Sequence, residues 1–129
     1  MLEWTFEETL EGWQTSGNVI QRDVDGREVA RLDNGSSMSI TIQLPAGIDA
    51  FEMVYTAHNN PASQASFTVQ INGQTIISHS QNAPSGGGYS WKTIDADVSQ
   101  FAGQTVTVTI TQFHQSNGQL YIDRIRFFD

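Results

Sequence analysis

The chain has 129 residues, 16% of them charged, with 14 acidic against 6 basic side chains and no cysteine. That length fits one domain and fits two poorly. A net charge of -8 sets the protein against phosphate backbones and anionic membrane surfaces, which are bound through Lys and Arg, and without cysteine neither a disulfide scaffold nor a thiolate metal site is available.

No apolar run nears the roughly 20 residues that a membrane span needs. Alternation with period two recurs along the chain, and no long segment keeps a helical period. A first strand starts almost at Met1, a beginning that suits a module cut from a longer chain. Asn18 to Leu32 then reads as a hairpin about Asp25-Gly26. Ser37 to Leu44 places Met38, Ile40, Ile42 and Leu44 on one face, and Phe51 to His58 does the same with Phe51, Met53, Tyr55 and Ala57. Ser66 to Ile71 aligns Phe67, Val69 and Ile71 before Asn72-Gly73, a strong two-residue hairpin signal. One helical turn is expected around Val98 to Ala102. Thr105 to Gln112 turns Val106, Val108 and Ile110 inward and a row of threonines outward. The last strand carries Leu120, Ile122, Ile125 and Phe127, so its alternation skips a residue near Arg124, as a bulge would make it. Eight or more short strands with turn residues between them predict an antiparallel sandwich or barrel. With no repeat and no linker, residues 1–129 are expected to form a single all-β domain.

Of the thirteen aromatic residues, Phe6, Phe51, Phe67, Phe101 and Phe127 sit in apolar phase and are expected in the core. Tyr89 and Trp91 follow the glycine-rich Ser85 to Gly88 loop and share a face, which makes them candidate platforms for a ligand. Trp13 either lines the same groove or plugs the core. His58, Asn59 and Asn60 offer polar groups on one loop, and Gln112 and His114 continue the inward phase of a strand, so they either line a cleft or leave the core. Arg31 and Gln70 are further candidates by parity. A catalytic reading finds little: there is no GxSxG elbow, the histidines at 58, 79 and 114 lack metal-type spacing, and Gly86-Gly87-Gly88 lacks the Lys and helix of a phosphate loop.

Several segments resemble bacterial carbohydrate-binding modules with the galactose-binding-like β-jelly roll, such as families 4, 16 and 22. Trp4-Thr5-Phe6-Glu7 followed by Glu11-Gly12-Trp13 looks like their "GFE…GW" opening. Asp33 to Ile40 is similar to their "sGsySl" entry into a core strand. Trp91 to Val98 with Phe101-Ala102-Gly103-Gln104-Thr105-Val106 resembles "W…vdlsayaGqtv", and Leu120 to Phe127 resembles "vYiDdirf". The chain departs from family 22 at Gln14-Thr15-Ser16, where an Arg is common, and from family 6 at Tyr121, where an Asn is. The resemblance implies a jelly roll and a structural calcium ion held by Glu7 and Asp123, with carbonyls near Asp33 and Ser36 joining them. It also implies a non-catalytic module of a secreted polysaccharide-degrading enzyme. Aromatic faces and amides suit sugars, and the negative charge favours a neutral β-1,4-glucan, xylan or mannan. A sandwich that binds a protein partner, such as an adhesin domain, is the competing expectation; a continuous exposed apolar patch would favour it.

Overall fold

The computed structural model describes residues 1–58, 64–84, 88–113 and 119–129, and of His58 the backbone only. Among them are the strands β1 (Leu2–Trp4), β2 (Gln14–Ser16), β3 (Val19–Val24), β4 (Arg27–Leu32), β5 (Ser37–Gln43), β6 (Ala50–His58), β7 (Gln64–Ile71), β8 (Gln74–Asn82), β9 (Lys92–Asp97), β10 (Thr105–Gln112) and β11 (Gln119–Phe128), with a 3-10 turn at Ser99–Phe101. They build two antiparallel sheets. One is ordered β3-β4-β11-β6-β9 with β1 also on β11, and the other is ordered β2-β5-β10-β7-β8. The all-β sandwich and its jelly-roll class stand as expected.

The two hairpins turn where the short-loop residues sit. Val24 pairs with Arg27 around Asp25-Gly26, and Ile71 with Gln74 around Asn72-Gly73. Both loops have two successive positive φ angles, 53° and 72° in the first and 52° and 81° in the second, which is the mirror-image turn whose twist matches that of paired strands. The last strand skips where its alternation did: β11 pairs with β6 on either side of a register shift between Ile122 and Arg124. At the same point its other neighbour changes, from β4 at Leu120 to Ile122 to β1 at Ile125 to Phe127. A second shift leaves Ile76 of β8 as an extra residue between the Val69–Ile77 and Gln70–Thr75 pairs.

Between the sheets lies one core. Met38, Phe51, Met53, Phe67, Val69, Val108, Ile110, Leu120, Ile122 and Phe127 are fully buried in it, and the five expected core phenylalanines are all buried. Aromatic edges run through its end, with Trp4 against Trp13 at 5.5 Å and against Phe127 at 6.2 Å, and Phe127 against Phe51 at 5.2 Å. Such edge-to-face pairs add to the burial of their area.

On the solvent side of β6 and β11, Glu52 accepts from Arg126 Nε at 2.8 Å and from Arg124 Nη2 at 3.1 Å. The Arg126 hydrogen bond, more than any other contact, holds the Glu52 carboxyl below the usual carboxylate range. A depressed folded-state pKa contributes stability above the unfolded value of about 4.3, and that contribution is lost as pH falls through the folded value. Glu52→Gln is therefore expected to melt below the wild type at pH 7 and to approach it near pH 3. Urea titrations at both pH values check this; a gap of the same size at each would sink it.

Candidate ligand-binding face

The two sheets differ in charge. None of β2, β5, β7, β8 or β10 contains an Asp, Glu, Lys or Arg, so every charged side chain of the chain lies on the other sheet or on the connections. Strand alternation turns the apolar set of these five strands inward and leaves hydroxyls and amides outside. Ser37, Ser39, Thr41 and Gln43 of β5 stand opposite Thr111, Thr109, Thr107 and Thr105 of β10, and Thr68 and Gln70 of β7 flank the same row. Many of these groups are linked. Thr41 and Thr107 hydroxyls lie 2.9 Å apart, Thr105 donates to Gln43 at 2.6 Å, Gln70 donates to Thr75 at 3.3 Å, and Ser66 and Ser80 hydroxyls lie 2.7 Å apart. The result is a ladder of neutral donors and acceptors, spaced about 4.8 Å between strands and about 6.8 Å along them. A depression of about 190 Å³ beside it is lined by Gly12, Gln14, Ser39, Ile40 and Thr41.

Phe113 closes one end of this face. Its N–H donates to Ser66 O at 2.8 Å, which carries the β10–β7 ladder one residue past Gln112. Phe113 therefore shares the outward phase of Thr105, Thr107, Thr109 and Thr111. Half of it is exposed (50%), and the other exposed large apolar residues among those described, Met1 and Ile20, lie on other segments. An aromatic ring beside hydroxyls and amides offers what a sugar ring presents, an apolar C–H face and a rim of hydroxyl groups.

The sequence-derived candidates do not form one site. Gln70 lies on the neutral face. Trp13, at 5% exposure, is a core side chain packed on Trp4, and Gln112 is completely buried, so neither lines an open cleft here. Gln112 does keep its inward phase: the strand continues past it, and its N–H and C=O bond Ser36 O and Gly35 N. Asn59, Asn60 and His114 lie outside the described residues, and His58 is described by its backbone alone.

Tyr89, Trp91 and Arg31 lie on the opposite side of the molecule, on the outer face of the six-stranded sheet. The segment from Gly88 to Trp91 crosses that face, pinned where Ser90 N donates to Thr56 Oγ1 at 3.1 Å. Tyr89 stacks on Trp91 with centroids 6.0 Å apart and meets Tyr121 at 5.9 Å, and both rings pack on a small cluster of Val24, Val29 and Tyr121. Burial raises the Tyr121 phenol above its ordinary pKa. Trp91 Nε1 donates to Asp25 at 2.7 Å, and the Arg27 guanidinium lies 4.5 Å from the Trp91 ring centre. The two rings are thus half-buried and engaged with the sheet beneath them. The outward-facing Val29 and Tyr121 need a cover, and these rings provide it. Arg31 pairs with Asp33, Nε to Oδ1 at 3.2 Å.

Of the donors expected around calcium, the Glu7 and Asp123 carboxylates line one groove, while the carbonyls of Asp33 and Ser36 accept from Ser36 N and Gln112 N. Asp33 is engaged by Arg31 and by the Asn18 amide, and Ser36 Oγ accepts from Asn18 N at 2.8 Å. Leu32 pairs with Leu120, which places Asp33 about four residues of β11, roughly 13 Å, from Asp123. Asp123 itself is bound by Arg27 at 2.8 Å. Among the described residues no three Asp, Glu or His side chains are placed to hold a metal ion.

No protein-family model matches the sequence, and no curated protein is significantly similar to it. Similar solved structures share the fold. A family 36 carbohydrate-binding domain of a multidomain xylanase, from the hindgut metagenome of Trinervitermes trinervoides, is 17% identical with a TM-score of 0.66, covering 92% of each chain. A cleaved adhesin domain of Lys-gingipain from Porphyromonas gingivalis is 12% identical with a TM-score of 0.72, covering 98% of this chain and 96% of that one. A family 36 carbohydrate-binding module in complex with calcium and xylotriose is 12% identical with a TM-score of 0.69, covering 99% and 100%.

Proposed function

We propose that the chain is a non-catalytic carbohydrate-binding module that takes a neutral polysaccharide on the outer face of its five-stranded sheet, with Phe113 stacking on a sugar ring. The observation that carries this reading is the segregation of charge: an acidic protein keeps one whole sheet free of charged residues and furnishes it with hydroxyls and amides. Such a face hydrogen-bonds uncharged hydroxyl groups without desolvating an ion. Its Ser and Thr hydroxyls have no Asp, Glu, Lys or Arg on these strands to activate them as nucleophiles. The histidine of these strands with a described side chain, His79, packs against Tyr55 and Phe67.

The fold likeness to modules whose descriptions name xylotriose or a xylanase supports the same class. β-1,4-Glucan, xylan and mannan are the polymers of choice, because the net charge of -8 disfavours polyanions. In a secreted enzyme carrying a linked catalytic domain, the module would raise the local concentration of that domain at an insoluble substrate. The likeness to an adhesin domain leaves a protein partner as the rival, but the exposed large apolar residues among those described lie on three different segments, whereas a protein interface is centred on a contiguous apolar patch.

Affinity electrophoresis in gels carrying soluble glucan, xylan, mannan and pectin tests the reading. Retardation by at least one neutral polymer is expected, with pectin inert. Free migration through the whole panel would overturn it in favour of a protein-binding sandwich.

A further inference from the structure

We infer that the Arg27 guanidinium supplies the positive charge that Asp123 requires, so that this edge of the sandwich is held without a metal ion. Asp123 sits at the register skip of β11, where the neighbouring strand changes from β4 to β1. The change leaves a groove of about 460 Å³ lined by Thr5, Glu7, Gly26, Arg27, Glu28, Asp123 and Arg124. Three carboxylates therefore border one depression. Partial desolvation, followed by the charges of Asp23, Glu7 and Glu8, raises the Glu28 carboxyl above its ordinary range, as expected where negative charge accumulates.

The compensating cation comes from the chain. Arg27 opens β4 directly after the Asp25-Gly26 turn, and its Nη1 donates to Asp123 Oδ2 at 2.8 Å. Its guanidinium carbon is 4.5 Å from the centre of the Trp91 ring, and Trp91 is tied back to the same turn through Asp25. A carboxylate and an aromatic face thus fix a group that stays protonated at any ordinary pH. Calcium takes six to eight oxygen ligands. Here Asp123, one of the two carboxylates expected to bind it, is already bound to Arg27, and the carboxylates that border the groove do not converge into a metal-holding group among the described residues.

Thermal melting tests the inference directly and does not depend on any glycan. Neither chelator nor millimolar calcium is expected to move the wild-type midpoint. Arg27→Gln is expected to lower it by about 4 °C, and by less than half as much in an Asp123→Asn background, because the partner charge is then already gone. A wild type stabilised by calcium and destabilised by chelator would overturn the inference. An Arg27→Gln effect of equal size in both backgrounds would do the same.

Discussion

Phe113→Ala is expected to weaken binding to a retarding neutral polysaccharide about 30-fold, close to 2 kcal/mol, while the protein melts within about 2 °C of the wild type. The asymmetry follows from the position of the ring. It is half exposed at the end of a strand, so little core is lost with it. Against a sugar it would be the large apolar contact on a face otherwise made of Ser, Thr and Gln, and binding energy concentrates in such anchors. Trp91→Ala serves as the comparison, because its ring lies on the opposite sheet and is held by Asp25 and Tyr89. That variant should lose stability more than affinity. Isothermal titration with a soluble oligosaccharide, beside a melting curve for each protein, separates the two. If Trp91→Ala lost affinity and Phe113→Ala kept it, the binding face would have to move to the six-stranded sheet.

Phe127→Ala carries the largest expected cost to folding, about 3–5 kcal/mol. Its ring is fully buried and meets Phe51 at 5.2 Å and Trp4 at 6.2 Å. It stands on the stretch of β11 that pairs with β1 on one side and β6 on the other. Removing it leaves a cavity where several elements meet, in a protein whose whole stability should be about 5–15 kcal/mol. A midpoint lowered by roughly 10–20 °C is expected in thermal melting. A drop below 5 °C would show that this end of the core collapses around the gap.

The strands were readable because a sandwich imposes one periodicity everywhere and its short turns use residues that tolerate positive φ. The inward sets at Met38 to Leu44, Phe51 to Ala57 and Val106 to Ile110, the turns at Asp25-Gly26 and Asn72-Gly73, and the skip near Arg124 all express that local rule. The candidate site was less legible because its residues meet only across strands. Tyr89 and Trp91 follow a glycine-rich loop and looked like exposed platforms; their engagement depends on Tyr121 and Val29, distant in sequence and on other strands. Phe113 shares the parity of the outward threonines, a signal the sequence carries but which means little until those threonines are known to form one face. The absence of charge from five strands was visible too, but it acquires meaning only once those strands are known to form one sheet.

The extra residue at Ile76 bears on self-association. β8 is an outer strand of the uncharged sheet and, from Gln74 to Asn82, carries neither lysine nor proline. Such an edge presents a row of free N–H and C=O groups to any other extended chain and has no charge to repel it. The bulge kinks and twists β8 between Thr75 and Ile77, so an incoming strand meets an interrupted template. At this edge an irregularity in the backbone thus does what a charged side chain does at the edges of many proteins, while the net charge of -8 keeps the molecules apart at longer range.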